Sequence, residues 1–185
     1  MSILDLKSLE SVSYSKDCQH IESDRKYLYL GRDYQICLSF ELPPYSCIKK
    51  LLQAKLILFK IPTPCEEEPI KSDSPFYSVY PLLDYFSVFN CMYEPPAFDY
   101  DMGKFFEDSE SCCYTEADVS CIVRAWIDDK IENRGLFLAS KRNSRLITYA
   151  SDTYEIIGMR PMLRLTYEKS ICEPLSSVPC VVKID

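Results

Sequence analysis

Short runs in which apolar and polar residues alternate occupy much of the chain, and most runs end close to a proline, an asparagine or a glycine. Three of them follow one another between residues 135 and 168, namely GLFLAS, RLITYAS and MLRLTYE. Alternation with a period of two puts successive side chains on opposite faces of a β-strand, so each run predicts a strand. The intervening KRNS predicts a tight hairpin between the first two strands, and DTYEIIGMRP predicts a longer connection before the third.

The same signals occur earlier in the chain. KYLYLG places Tyr27 and Tyr29 on one face of a strand, and QICLSFEL predicts a half-buried strand that ends at two prolines. LLQAKLILFKI and FYSVYPLL predict two more strands, and DYFSVFNCMYEPP contains a further extended stretch. The acidic segment AFDYDMGKFFEDSESCCYTE has no regular period and is therefore predicted to be a loop.

One stretch, ADVSCIVRAWIDDK, has the period of a helix instead. Its apolar residues recur three and four positions apart, as one face of an amphipathic helix requires: Val119, Ile122, Val123, Trp126 and Ile127. Asp118 and Ser120 are both suited to cap its start. Many short strands with one helical segment predict an all-β fold, an antiparallel jelly-roll β-sandwich with one short helical turn near Trp126.

The pattern divides the chain into three parts. Residues 1–22 show little periodicity and are predicted to form an N-terminal arm, with a short helical turn around LDLKSLESV. Residues 23–168 are predicted to form the jelly-roll domain, and residues 169–185 a C-terminal tail or an added strand. The tail either folds back on its own sheet or pairs with a sheet edge of a neighbouring copy, and the pattern favours neither.

Charge and hydropathy limit the partners that we expect. The formal net charge is -7 and the pI is near 4.9, so the clustered positive charge of a nucleic-acid-binding surface is not expected. No segment approaches the roughly 20 apolar residues that a membrane-spanning helix needs. The N-terminus also lacks the basic and apolar regions of a signal peptide, so we expect a chain made without one.

The chain has 10 cysteines, a number that usually accompanies an oxidising environment. It has no CxxC pair and one histidine, His20, so the usual ligand spacings of a zinc site are missing. Cys37 and Cys121 lie in apolar patterns and are expected to be small buried hydrophobic residues. The candidates for inter-subunit disulfides lie near the termini or in the acidic segment: Cys18, Cys172, Cys180, Cys112 and Cys113.

Two other kinds of site are possible. Sugars stack on exposed aromatic rings, and the candidates among the 14 tyrosines are Tyr27, Tyr29, Tyr149 and Tyr154. The run DYDMG places Asp99 and Asp101 at alternate positions, as in a calcium-binding loop, and calcium is the one cofactor that the pattern suggests.

Catalysis is not expected. With a single histidine, an activated serine or cysteine has no evident base, and the four glycines are too dispersed for a phosphate-binding loop. An enzyme that cleaves glycans with two carboxylates remains an alternative, because that chemistry needs only two acids at a set separation.

The order of these elements resembles the DNRLRE-type domain, a jelly-roll module similar to carbohydrate-binding modules of bacterial cell-surface proteins. Two motifs carry the resemblance. The first contains Trp126, Asn133, Gly135, Leu136 and Leu138, and the second contains Arg160, Pro161, Leu163, Leu165 and Tyr167. The resemblance covers most of residues 24–168.

The resemblance implies a non-catalytic protein of a bacterial cell surface or, in spore-forming Firmicutes, of a spore surface. A spore-surface protein laid down by the mother cell needs no signal peptide, and it meets oxidising conditions after that cell lyses. We therefore expect a structural subunit of a surface layer or appendage that binds copies of itself through terminal arms and disulfides. The alternative is an adhesin that binds a surface glycan through its tyrosines.

Overall fold

The computed structural model describes residues 1–15, 25–31, 33–44, 48–62, 76–87, 96–140 and 144–169. Most of them form β-strands, with one α-helix, α1 (Ser120–Ile127), and one 3-10 turn at Ile157–Met159. The strands are β1 (Ser2–Lys7), β2 (Glu10–Ser15), β3 (Tyr27–Leu30), β4 (Tyr34–Ser39), β5 (Ile48–Phe59), β6 (Phe76–Pro81), β7 (Lys104–Glu107), β8 (Tyr114–Asp118), β9 (Leu136–Ser140), β10 (Ile147–Ala150) and β11 (Met162–Lys169).

The strands form two packed sheets. One has the order β1-β11-β5-β8, the other has the order β2-β4-β9-β6-β7, and β3 pairs separately with β10. The antiparallel pairs β1·β11, β3·β10, β4·β9, β5·β8 and β6·β7 nest inside one another along the chain, as in one long hairpin folded over itself. This is the jelly-roll arrangement, so the predicted antiparallel β-sandwich with one short helix is confirmed.

The main core lies between the sheets, where alternate residues of the strands meet. Ile36 and Leu38 of β4 lie in this core, whereas Cys37 between them lies in a second apolar cluster with Phe137 of β9. Because successive strand residues point to opposite faces, this second cluster covers the outer face of the five-stranded sheet. The prediction that β4 is half-buried was therefore wrong, since both of its faces are covered.

Residues of the connection between β6 and β7 pack on the outer face of the five-stranded sheet. Phe98 stacks on Phe137, with ring centroids 4.4 Å apart, and contacts Tyr80 with centroids 4.9 Å apart. Phe86 is also buried in this cluster. Residues 84–87 are not a strand, and residues 88–95 of the predicted extended stretch lie outside the described residues.

Helix α1 confirms the predicted helical period. Ile122, Val123 and Trp126 are completely buried, because their shared face lies against the core. The residue at the N-cap position is Val119, which makes no side-chain cap. Asp118 Oδ1 accepts the Ser120 N–H at 2.9 Å, and Ser120 Oγ accepts the Ala54 N–H at 2.9 Å, so the serine ties the helix to β5.

The N-terminal prediction was wrong for the described residues. Residues 2–15 form β1 and β2, one strand in each sheet, so the LDLKSLESV segment is neither a helical turn nor part of a separate arm. Asp5 of β1 accepts two hydrogen bonds from Arg164 of β11, at 2.8 and 2.9 Å. These bonds hold the pKa of the Asp5 carboxyl below its usual value. Residues 16–22 of the predicted arm lie outside the described residues.

Two other predictions of local structure were wrong. The acidic segment is not all loop, because it contains β7 and the start of β8. KRNS does not close a hairpin, because β9 pairs with β4 and β6 whereas β10 pairs with β3. None of the described helices is long and apolar enough to cross a membrane.

Candidate functional site

The predicted tyrosine site is only partly available for stacking. Tyr149 is 0% exposed, so the prediction that it stacks on a sugar was wrong. Tyr27 and Tyr154 are half-buried and contact each other, with ring centroids 6.0 Å apart, and Tyr29 contacts Tyr34 at 5.6 Å. The structure therefore brings Tyr27 and Tyr154 together but uses much of their ring surface in packing.

Asp99 shapes its own loop. Its Oδ1 accepts the backbone N–H groups of Asp101 at 2.9 Å and Met102 at 3.3 Å, an Asx-type turn that leads into Gly103. No group of three or more His, Cys, Asp and Glu side chains that could hold a metal occurs among the described residues. Calcium binding at Asp99 and Asp101 stays a prediction.

Cys112 and Cys113 lie exposed on the connection between β7 and β8, where the chain passes from one sheet to the other. We call residues 108–113 the thiol loop. The Lys60 N–H donates to the Cys113 carbonyl at 2.9 Å, and the Cys112 N–H donates to the Ser109 carbonyl at 3.2 Å. The loop therefore presents both thiols from a backbone that is fixed to the end of β5. The other disulfide candidates, Cys18, Cys172 and Cys180, lie outside the described residues.

An ion pair anchors the start of the thiol loop. Lys60 Nζ lies 2.6 Å from Asp108 Oδ1, and the two side chains are 12% and 4% exposed. Lys60 also donates to the Ser109 carbonyl at 2.5 Å. Thr115 donates to the same Asp108 oxygen at 2.5 Å and lies 3.0 Å from the Tyr149 hydroxyl. Farther along, Arg145 pairs with Glu110. Together with the Lys60 N–H bond to the Cys113 carbonyl, these contacts attach the loop at both ends.

A groove of about 400 Å³ opens near the β1–β2 turn, and Leu42, Tyr85, Asn133 and Arg134 are among the residues that line it. We call it the Tyr85 groove. Gly135 also lines the groove. Its φ is +107°, and its backbone lies so close to β4 that a Cβ at this position would be 2.3 Å from the Leu38 carbonyl oxygen.

The Tyr85 ring is 66% exposed but fixed in place. Its hydroxyl donates to Glu132, and the Arg134 guanidinium lies over one ring face, 4.8 Å from the centroid. Arg134 in turn donates to Glu132 Oε2 at 2.9 and 2.7 Å and to the Leu83 carbonyl at 2.6 Å. The hydrogen bond from Tyr85 and then those from Arg134 lower the pKa of Glu132, while the bond to Glu132 raises the pKa of Tyr85.

Asn133 also lines the groove. Its Nδ2 donates to the Phe40 carbonyl at 2.8 Å, and its Oδ1 has no hydrogen-bond partner among the described residues. Asn133 and Gly135 belong to a motif that the sequence singled out, but Tyr85, Glu132 and Arg134 were missed. The signal was weak, because Tyr85 and Glu132 are 47 positions apart and no local spacing links them.

Comparison with known proteins gives no assignment. No family model matches the chain, and no curated protein matches it. The resemblance to the DNRLRE-type domain stays a prediction, and the thiol loop and the Tyr85 groove are the two candidate sites on the described surface.

Proposed function

We propose that this protein is a non-catalytic structural subunit of a bacterial surface layer or appendage, of a spore in particular, and that disulfides through the thiol loop link its copies. The observation that carries the proposal is the exposure of Cys112 and Cys113 side by side on a fixed loop. A trans peptide sets adjacent Cα atoms about 3.8 Å apart, closer than the usual 4.4–6.8 Å of a disulfide. Each thiol is therefore better placed to bond outside the pair.

The sheet edges also support assembly. In the described order β1 ends one sheet and β7 ends the other, so each has one side with no described strand beside it. Ile3 on β1 is 65% exposed and Phe105 on β7 is 70% exposed. An open edge with exposed apolar residues favours pairing with another chain. Such pairing would hold copies together while disulfides form, with the terminal cysteines as further partners.

Replacement of both loop cysteines tests the proposal. After air oxidation, we expect the wild type to give a ladder of oligomers on a non-reducing gel that collapses to monomer with reductant. We expect Cys112→Ser/Cys113→Ser to reduce the ladder at least about tenfold, because both exposed thiols of the thiol loop are gone. Cys121→Ser is the matched control, since Cys121 is only partly exposed, and it should keep the ladder. A wild type that stays monomeric contradicts the proposal.

A second candidate function is sugar binding in the Tyr85 groove. The observation that favours it is an aromatic ring that Arg134 and the hydroxyl hold in place and that is still 66% exposed. A fixed aromatic ring binds with little loss of conformational entropy, and the partly exposed side chains of Glu132 and Arg134 beside it supply polar contacts for hydroxyl groups. This proposal places the glycan site at Tyr85, which was not among the four predicted candidates, Tyr27, Tyr29, Tyr149 and Tyr154.

A glycan array followed by titration of the best binder tests this second function. We expect Tyr85→Ala to raise the Kd at least about tenfold, because the stacking ring is lost. Tyr100→Ala is the matched control, since Tyr100 is 73% exposed but does not line the groove, and it should leave the Kd unchanged. Equal loss in both variants, or binding to no glycan at all, would rule out sugar binding here.

A further inference from the structure

The Lys60–Asp108 pair is unusual among the ion pairs of the described residues, because little of either side chain is exposed. The exposed fractions are 12% and 4%, whereas the comparable pair Lys55–Glu116, with an N–O distance of 2.7 Å, is 34% exposed on each side. Removing two charges from water is costly, and mutual attraction often does not repay that cost. A reaction that removes both charges would also remove this desolvation cost.

A chain of hydroxyl groups leads to the same carboxylate. Thr115 has one hydroxyl hydrogen and donates it to Asp108 Oδ1 at 2.5 Å. The 3.0 Å contact between Thr115 Oγ1 and Tyr149 is therefore donated by the Tyr149 hydroxyl. Both residues are buried, and burial keeps the pKa of Tyr149 far above its usual value, so the phenol stays protonated.

We propose that Lys60 and Asp108 condense into an isopeptide bond, a covalent amide between Lys60 Nζ and Asp108 Cγ. One proton passes from the ammonium to the carboxylate, the free amine adds to Cγ, and the Cγ–O bond then breaks. Two of the three ammonium hydrogens leave with that oxygen as water, and the third stays on the amide nitrogen. The charges cancel, and no oxidant, reductant or other reagent takes part.

Geometry supplies what this reaction needs. The nucleophile and the carboxyl are held in hydrogen-bond contact, so the step is intramolecular, and well-oriented groups of this kind react with effective concentrations of about 10⁵–10⁸ M. The hydroxyl of Thr115, backed by Tyr149, donates to Oδ1, the oxygen that lies nearest the ammonium, and so stabilises the negative charge that develops on this oxygen as the Cγ–O bond breaks. The product joins the end of β5 covalently to the first residue of the thiol loop.

The mass of the intact protein tests the proposal without any substitution. Denatured and fully reduced wild type should weigh about 18 Da less than its sequence, the mass of one water lost in amide formation. A digest should contain one branched peptide that joins the segments around Lys60 and Asp108. Wild type at its full sequence mass overturns the proposal.

Two variants exclude another route to the same mass. A succinimide at Asp108 also loses one water, but its formation does not need Lys60. Lys60→Arg should restore the full mass, and Lys55→Arg, which alters the exposed pair, should keep the loss. If the Lys60→Arg variant still weighs one water less than its sequence, the isopeptide bond is ruled out. These results are independent of whether the thiol loop links copies, because they are read on reduced monomer.

Discussion

Trp126→Ala is expected to lower the free energy of unfolding by about 3–5 kcal/mol, the usual cost of removing a large buried aromatic side chain. Trp126 is 0% exposed and lies in the core that α1 shares with the sheets. Its Nε1 has no hydrogen-bond partner among the described residues, so the loss comes from packing and not from a broken hydrogen bond. The change in the free energy of unfolding is measured by urea unfolding followed by far-UV circular dichroism. Trp fluorescence cannot be used, because the substitution removes the single Trp of the chain.

The matched control is Ile3→Ala on β1. Ile3 is 65% exposed, so its truncation should change the free energy of unfolding by less than about 0.5 kcal/mol. A Trp126→Ala loss below about 1 kcal/mol would show that α1 does not pack in the core as described, because a buried indole cannot be removed so cheaply.

Gly31→Ala is expected to destabilise the fold by at least about 2 kcal/mol, because the added Cβ would strain the backbone and clash with a neighbouring carbonyl group. Gly31 has a φ of +122°, and a Cβ would lie 2.0 Å from the Arg145 carbonyl oxygen. The Gly31 carbonyl also accepts the Tyr34 N–H at 2.9 Å, so the turn between β3 and β4 depends on this conformation. Thermal or urea unfolding measures the change.

Gly158→Ala provides the comparison on the same fold. A Cβ at Gly158 would meet nothing within 4 Å, and its φ lies outside the strained positive region. The substitution should therefore be neutral, or slightly stabilising by less than about 1 kcal/mol through the unfolded chain. If both substitutions changed the free energy of unfolding equally, Gly31 at the end of β3 could not lie as close to Arg145, just before β10, as the structure shows.

The sequence predicted the elements with a clear period. Alternation predicted β3, β4, β9, β10 and β11, and a three-and-four spacing predicted α1. β5 was predicted from a continuous apolar run bounded by prolines, and the run FYSVYPLL predicted β6. β1, β2, β7 and β8 were missed, because their apolar residues are few and several face solvent, as Ile3 and Phe105 do. For these strands pairing with neighbours decides the structure, and local pattern carries little of that information.

The sites were less predictable than the fold, because they join distant residues. The alternating pattern predicts an exposed Tyr149, because alternation does not show whether both faces of a strand are covered. In the structure its hydroxyl is satisfied inside the sandwich by Thr115. Lys60 and Asp108 meet only because the nested pairing brings the end of β5 beside the connection from β7 to β8. Exposure of Cys112 and Cys113 was expected, because their segment is acidic and polar.

Disulfide mapping on a mixture of ¹⁵N-labelled and unlabelled protein tests the central claim most directly. The two forms are mixed in equal amounts, air-oxidised and digested without reductant, so a bond between copies gives peptides with one labelled and one unlabelled half. We expect such mixed peptides, and we expect them to contain Cys112 or Cys113. If these cysteines stay reduced, or bond only within one chain so that no mixed peptide forms, the protein is not a subunit linked through this loop.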